Sequence, residues 1–90
     1  MEIEIYVGNL PRSTTQNDLN ILFSRAGDVT SVNVIRDRQS GESNGFAFVT
    51  MSAQSEADKA VSMFNAYILD DRYLRVTLVR RREQRGFGKL

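Results

Sequence analysis

Apolar and polar residues alternate along four stretches of this chain and recur at helical spacing along two others. In "IEIYVG", residues 3–8, Ile3, Ile5 and Val7 fall on one face and Glu4, Tyr6 and Gly8 on the other. In "VTSVNVIR", residues 29–36, Val32 and Val34 face inward and Asn33 and Ile35 outward. In "NGFAFVTM", residues 44–51, Gly45, Ala47, Val49 and Met51 share a small, aliphatic face, and the two large rings, Phe46 and Phe48, point the other way with Asn44 and Thr50. In "YLRVTLV", residues 73–79, Leu74, Val76 and Leu78 point inward and Arg75, Thr77 and Val79 outward. Between the strands, Thr15 with Asp18 three residues on predicts a capped helix start; Leu19, Leu22, Phe23 and Ala26 form its apolar stripe and Gly27 ends it. A second helix is predicted to begin near Ser52 or Ser55, with Ala57, Ala60, Val61 and Phe64 on its buried side. "NLPRSTT", "DRQSGES" and "YILDDR" supply the turns.

The predicted order is β-α-β-β-α-β. Two amphipathic helices in so short a chain cover one face of a four-stranded antiparallel sheet, giving an α+β sandwich of the ferredoxin-like type. The other face is then left to solvent, carrying Tyr6, Asn33, Ile35, Phe46, Phe48, Arg75 and Thr77. Such a patch has three available fates. Nucleobases stack on it, a protein partner or second copy covers it, or the chain's own C-terminal segment folds back over it.

Charge and composition narrow the choice. Residues 1–79 hold seven Lys/Arg against ten Asp/Glu, a balance of −3, whereas residues 80–90, "RRREQRGFGKL", hold five against one, a balance of +4. The expected organisation is therefore one domain over 1–79 and a basic, flexible tail over 80–90. A basic arm suits a polyanion, although a solvated terminus accounts for the same composition. The chain has no Cys and no His. Thiol and imidazole catalysis and the usual zinc sites lose their parts, so no enzyme, cofactor or metal is expected. No apolar run approaches the length of a membrane span and the acidic N-terminus is unlike a signal peptide, so a cytoplasmic location is expected.

"IYVGNL", residues 5–10, resembles the hexapeptide of the RNA recognition motif family, and "NGFAFVTM" its octapeptide, K/R-G-F/Y-G/A-F-V-x-F/Y. The two lie on the first and third predicted strands, as in that family, and the resemblance runs over residues 3–79. The chain looks most like short single-domain members found in bacteria and the modules of glycine-rich RNA-binding proteins. The resemblance implies that Tyr6 and Phe48 stack on neighbouring bases and that Phe46 wedges against two sugars. Two octapeptide positions depart from the pattern: Asn44 stands where Lys or Arg is usual, and Met51 where Phe or Tyr is usual. Asn44 removes a cation from the face, and Glu4 adds an anion to it.

The resulting expectation is single-stranded RNA binding in post-transcriptional regulation, by a monomer, with single-stranded DNA as a ligand in vitro. The rival is a protein-interaction module or homodimer using the sheet or helical face. Asn33, Arg75, Thr77 and Arg80 are candidates for reading base identity and Asn44 for a further polar contact, while Arg80, Arg81 and Arg82, with Arg85 beyond them, are placed to reach phosphates or stack on bases.

Overall fold

The computed structural model describes residues 2–36, 39–41 and 43–82 of the chain, with backbone alone for residues 43, 44 and 80–82. Strands β1 (Glu2–Gly8), β2 (Val29–Arg36), β3 (Ser43–Met51) and β6 (Arg75–Arg82) form one sheet in the order β2-β3-β1-β6. Each neighbouring pair is antiparallel. Helices α1 (Gln16–Phe23) and α2 (Gln54–Phe64) complete the expected sandwich, and two-residue strands β4 (Ile68–Leu69) and β5 (Arg72–Tyr73) make a small separate hairpin.

Alternation decides which face is buried. Ile3, Ile5, Val7, Ala47, Val49 and Met51, from the two central strands, form one core with Leu19, Leu22, Phe23, Ala57, Ala60 and Phe64 from the helices. Phe23 and Phe64 meet at the centre of this layer, with ring centroids 4.8 Å apart. Met51 at the octapeptide's last position is fully buried there and serves as core.

Helix α1 starts at the box read from sequence. The Asp18 amide donates to Thr15 Oγ1 at 3.1 Å, and the Thr15 amide donates to Asp18 Oδ2 at 2.9 Å. Helix α2 instead starts after Ala53, which gives no side-chain cap, while the neighbouring Ser52 hydroxyl donates to the Glu56 carboxylate.

Three expectations need correction along the last strand. Tyr73 belongs to the β4–β5 hairpin, and the sheet strand begins at Arg75. The strand then continues to Arg82, so residue 79 is not its end, and the first three tail arginines are strand residues; residues 83–90, including Arg85, lie outside the described residues. Leu78, expected in the core, is 40% exposed, because β6 is an edge strand and the helical layer does not reach that point. Val79 is the extra residue of a bulge: Ile5 pairs with Leu78, and Glu4 with Arg80.

Candidate nucleic-acid interface

The helices cover one face of the sheet, and the strand register arranges the other in rows. Across β2, β3, β1 and β6 the middle row reads Asn33, Phe48, Tyr6, Thr77, each directly opposite the next. On one side of it lies Phe46, Gly8, Arg75. On the other lie Ser31, Thr50 and Glu4, with the backbone of Arg80 in register with Glu4 beyond them. The rings thus stand on the two central strands, with polar residues on the outer ones.

Tyr6, Phe46 and Phe48 form a nearly equilateral triangle. Centroids of Tyr6 and Phe46 are 5.9 Å apart, those of Tyr6 and Phe48 5.9 Å, and those of Phe46 and Phe48 6.1 Å. The Phe48 ring is edge-on to both others, at 63° and 87°, an arrangement the aromatic quadrupole favours. All three rings are half-buried: they brace one another and keep part of their surface open.

Two glycines make this geometry available. Tyr6 lies along its own strand over Gly8, where a Cβ would come within 2.7 Å of the ring's Cε2. Any larger residue at position 8 would displace the ring. Gly45 has φ +89°, in the left-handed region that favours glycine. It sits where the β2–β3 ladder steps from Val34 opposite Ala47 to Arg36 opposite Ser43, and its carbonyl accepts from the Leu10 amide at 2.8 Å. That irregularity ties the loop after β1 to the start of β3 and fixes the approach to Phe46.

Of the other predicted site residues, Asn33, Arg75 and Thr77 are exposed beside the rings. The side chain of Asn44 lies outside the described residues, as do those of Arg80, Arg81 and Arg82; their backbones pair with Glu4, Ile3 and Glu2 respectively. Ile35 is half-buried. Thr50, on the ring-bearing side of β3 by alternation, is only 3% exposed.

Sequence reasoning missed the tie between the β4–β5 hairpin and the residue that follows β1. Asn9, at φ 60°, donates through Nδ2 to the Tyr73 carbonyl at 2.9 Å and accepts through Oδ1 from Arg72 Nη1 at 2.9 Å. The usable signal was Asn directly after Gly8, a residue type that tolerates the left-handed region. Tyr73 and Ile68, paired across the hairpin, are both well exposed.

Residues 5–75 match the family model for the RNA recognition motif. The chain is 42% identical over 88 residues to glycine-rich RNA-binding protein 1 of Mycosarcoma maydis, covering 98% of this chain and 50% of that protein. Other relatives are chloroplastic ribonucleoproteins, and the chain spans half or less of the length of the curated relatives it matches here. The expected likeness to short bacterial proteins is not borne out by these longer relatives. Among solved structures, the RNA-binding protein PG1 superposes with a TM-score of 0.84 at 36% identity, covering 91% of this chain and 99% of that one. The Rna15 RRM with bound RNA (GU) superposes at 0.76 with 30% identity, covering 82% and 79%. Fold, the two motifs on the central strands and these relationships agree: the chain belongs to the RNA recognition motif family.

Proposed function

We propose that the open sheet face binds single-stranded RNA, with bases stacked on Tyr6 and Phe48 and Phe46 set against the intervening sugars. The observation that carries this reading is the triangle of half-exposed rings on the two central strands, on the side opposite the helices. A flat, braced aromatic surface suits unpaired bases, whose faces are free. An A-form duplex keeps its bases stacked on one another and offers no such face. Binding of RNA by related domains supports the same assignment.

Asn33 and Thr77 end the ring-bearing row and supply hydrogen bonds to base edges, while Arg75 and the β6 arginines meet phosphate. Stacking contributes ~1–3 kcal/mol per base. Two bases plus a few polar contacts, netting ~6–8 kcal/mol, correspond to a dissociation constant of roughly 1–40 μM. Two or three phosphate contacts give a log–log salt slope of about −1.4 to −2.1. Such an affinity, with a footprint of about two to four nucleotides, suits a module acting in post-transcriptional regulation alongside other RNA-binding surfaces. Single-stranded DNA, which presents the same bases, binds the platform in vitro on this reading.

The test is a titration with short random-sequence single-stranded RNA followed by backbone amide shifts. Changes are expected at Tyr6, Phe46, Phe48, Asn33 and Thr77. Changes confined to the helical face, or concentration-dependent shifts of the ring-bearing strands without RNA, would replace this reading with the protein-binding or homodimer one.

A further inference from the structure

We propose that Tyr73 is a further stacking residue, which takes one nucleotide beyond the platform of Tyr6, Phe46 and Phe48; this deepens the RNA reading above and rests on it. Tyr73 stands two residues before Arg75, which ends the row Phe46, Gly8, Arg75 on the open face. Leu74, between them, is 2% exposed and belongs to the core. Alternation about Leu74 therefore puts the Tyr73 ring on the side of Arg75. The other hairpin strand agrees. Tyr67 packs edge-on against Phe64 at 5.5 Å, and Leu69 packs against the core. Ile68, between these two and paired with Tyr73, falls on the same outer side as Tyr73. Two extended residues advance ~6.6 Å, so the ring stands about one row past Arg75.

Backbone hydrogen bonds fix this placement. Asn9, directly after Gly8, donates to the Tyr73 carbonyl at 2.9 Å. The Leu74 amide donates to the Tyr67 carbonyl at 2.9 Å, and the Leu74 carbonyl accepts from the Ala66 amide at 2.8 Å. These bonds hold β5 beside the end of β1, where the Tyr6 ring lies over Gly8. An RNA strand that leaves Tyr6 across Gly8 and Arg75 meets Tyr73 next.

Exposure, size and charge select the occupant. Tyr73 is 63% exposed and Ile68 57%. Ile68 lies directly opposite in the register, the position from which a branched side chain supports a ring. Two side chains are far short of the ~800 Å² per partner that a stable protein interface buries, whereas one base needs only one ring. The exposed cations Arg72 and Arg75 flank Tyr73 in the chain and suit neighbouring phosphates. Asp70 and Asp71 close the hairpin beyond Arg72 and repel a backbone that runs further, so this shelf takes one nucleotide.

The experiment titrates random-sequence single-stranded RNA of two to six nucleotides into the wild-type chain, Tyr73→Ala and Tyr73→Phe, at several salt concentrations. Tyr73→Ala is expected to bind the hexamers about 5- to 150-fold more weakly, with an unchanged melting temperature and an unchanged log–log salt slope. Its affinity should stop rising with length one nucleotide earlier than that of the wild type. Tyr73→Phe, which keeps the ring, should bind within about twofold of the wild type. Wild-type affinity and length dependence in Tyr73→Ala overturn the inference and leave the RNA reading intact. A loss that Tyr73→Phe shares, or that comes with a smaller salt slope, assigns the effect to the hairpin's position or charges and overturns it as well. Failure of the wild type to bind any of these RNAs removes both readings.

Discussion

The ring of Tyr6 lies over Gly8 of its own strand, in the volume that any β-carbon at position 8 would claim. Gly8 also stands between Phe46 and Arg75 in the sheet register, so Tyr6 fills what would be a gap in that row. Gly8→Ala is expected to lift the ring and break its packing with Phe46. RNA affinity should fall by about 1 kcal/mol or more, part of the value of one stacked base. Titration of the variant beside the wild type checks this; unchanged affinity would show that the position of the Tyr6 ring is immaterial.

The two faces of the sandwich give phenylalanines opposite roles. Phe23 is fully buried and packs against Phe64, whereas Phe48 is half-exposed. Phe23→Ala is expected to cost ~3–5 kcal/mol of folding stability through the cavity it leaves. Phe48→Ala should cost less than about 1.5 kcal/mol, the scale of its ring–ring contacts. Urea unfolding of both variants measures the contrast directly.

Ala66 has φ 71° in the turn after α2, where its amide donates to the Leu74 carbonyl at 2.8 Å. A residue with a Cβ is strained there by ~1–2 kcal/mol, and glycine relieves that while adding some unfolded-state entropy. Ala66→Gly should therefore stabilise the fold by about 0.5–1 kcal/mol. A higher melting temperature confirms it; a lower one would indicate that the turn is not under strain.

Arg80, paired with Glu4 through the bulge, is proposed to meet phosphate. Arg80→Ser should then reduce the magnitude of the log–log salt slope by about 0.7, the value of one contact to a single strand. Binding isotherms at several salt concentrations read this slope. A parallel loss of affinity at every concentration would argue against a phosphate contact.

Much of this arrangement is legible in the residues themselves. Ile3, Ile5 and Val7 against Tyr6, and Ala47 and Val49 against Phe46 and Phe48, separate the two faces because strand side chains alternate without exception in regular stretches. Thr15 and Asp18 mark the start of α1 by a local rule that tertiary contacts do not override. Alternation fails where the ladder is irregular. Counting on from Thr77 places Val79 outward and Arg80 inward, yet the bulge pairs Arg80 with Glu4, and nothing in "TLVRR" announces an extra residue. Leu78 misleads for a different reason: its parity is inward, but the helices do not cover that part of the edge strand. The β4–β5 hairpin escapes because each strand is two residues long, too short for a period to show. Its Asp70-Asp71 turn, with φ 49° and 68°, reads only as a change of direction.

The central claim is that bases meet the exposed rings. The most direct measurement is the affinity of Phe48→Ala for short single-stranded RNA, taken with a spectrum showing that the fold is retained. Binding weaker by ~1–3 kcal/mol is the expected result. Wild-type affinity in a folded Phe48→Ala chain would contradict it.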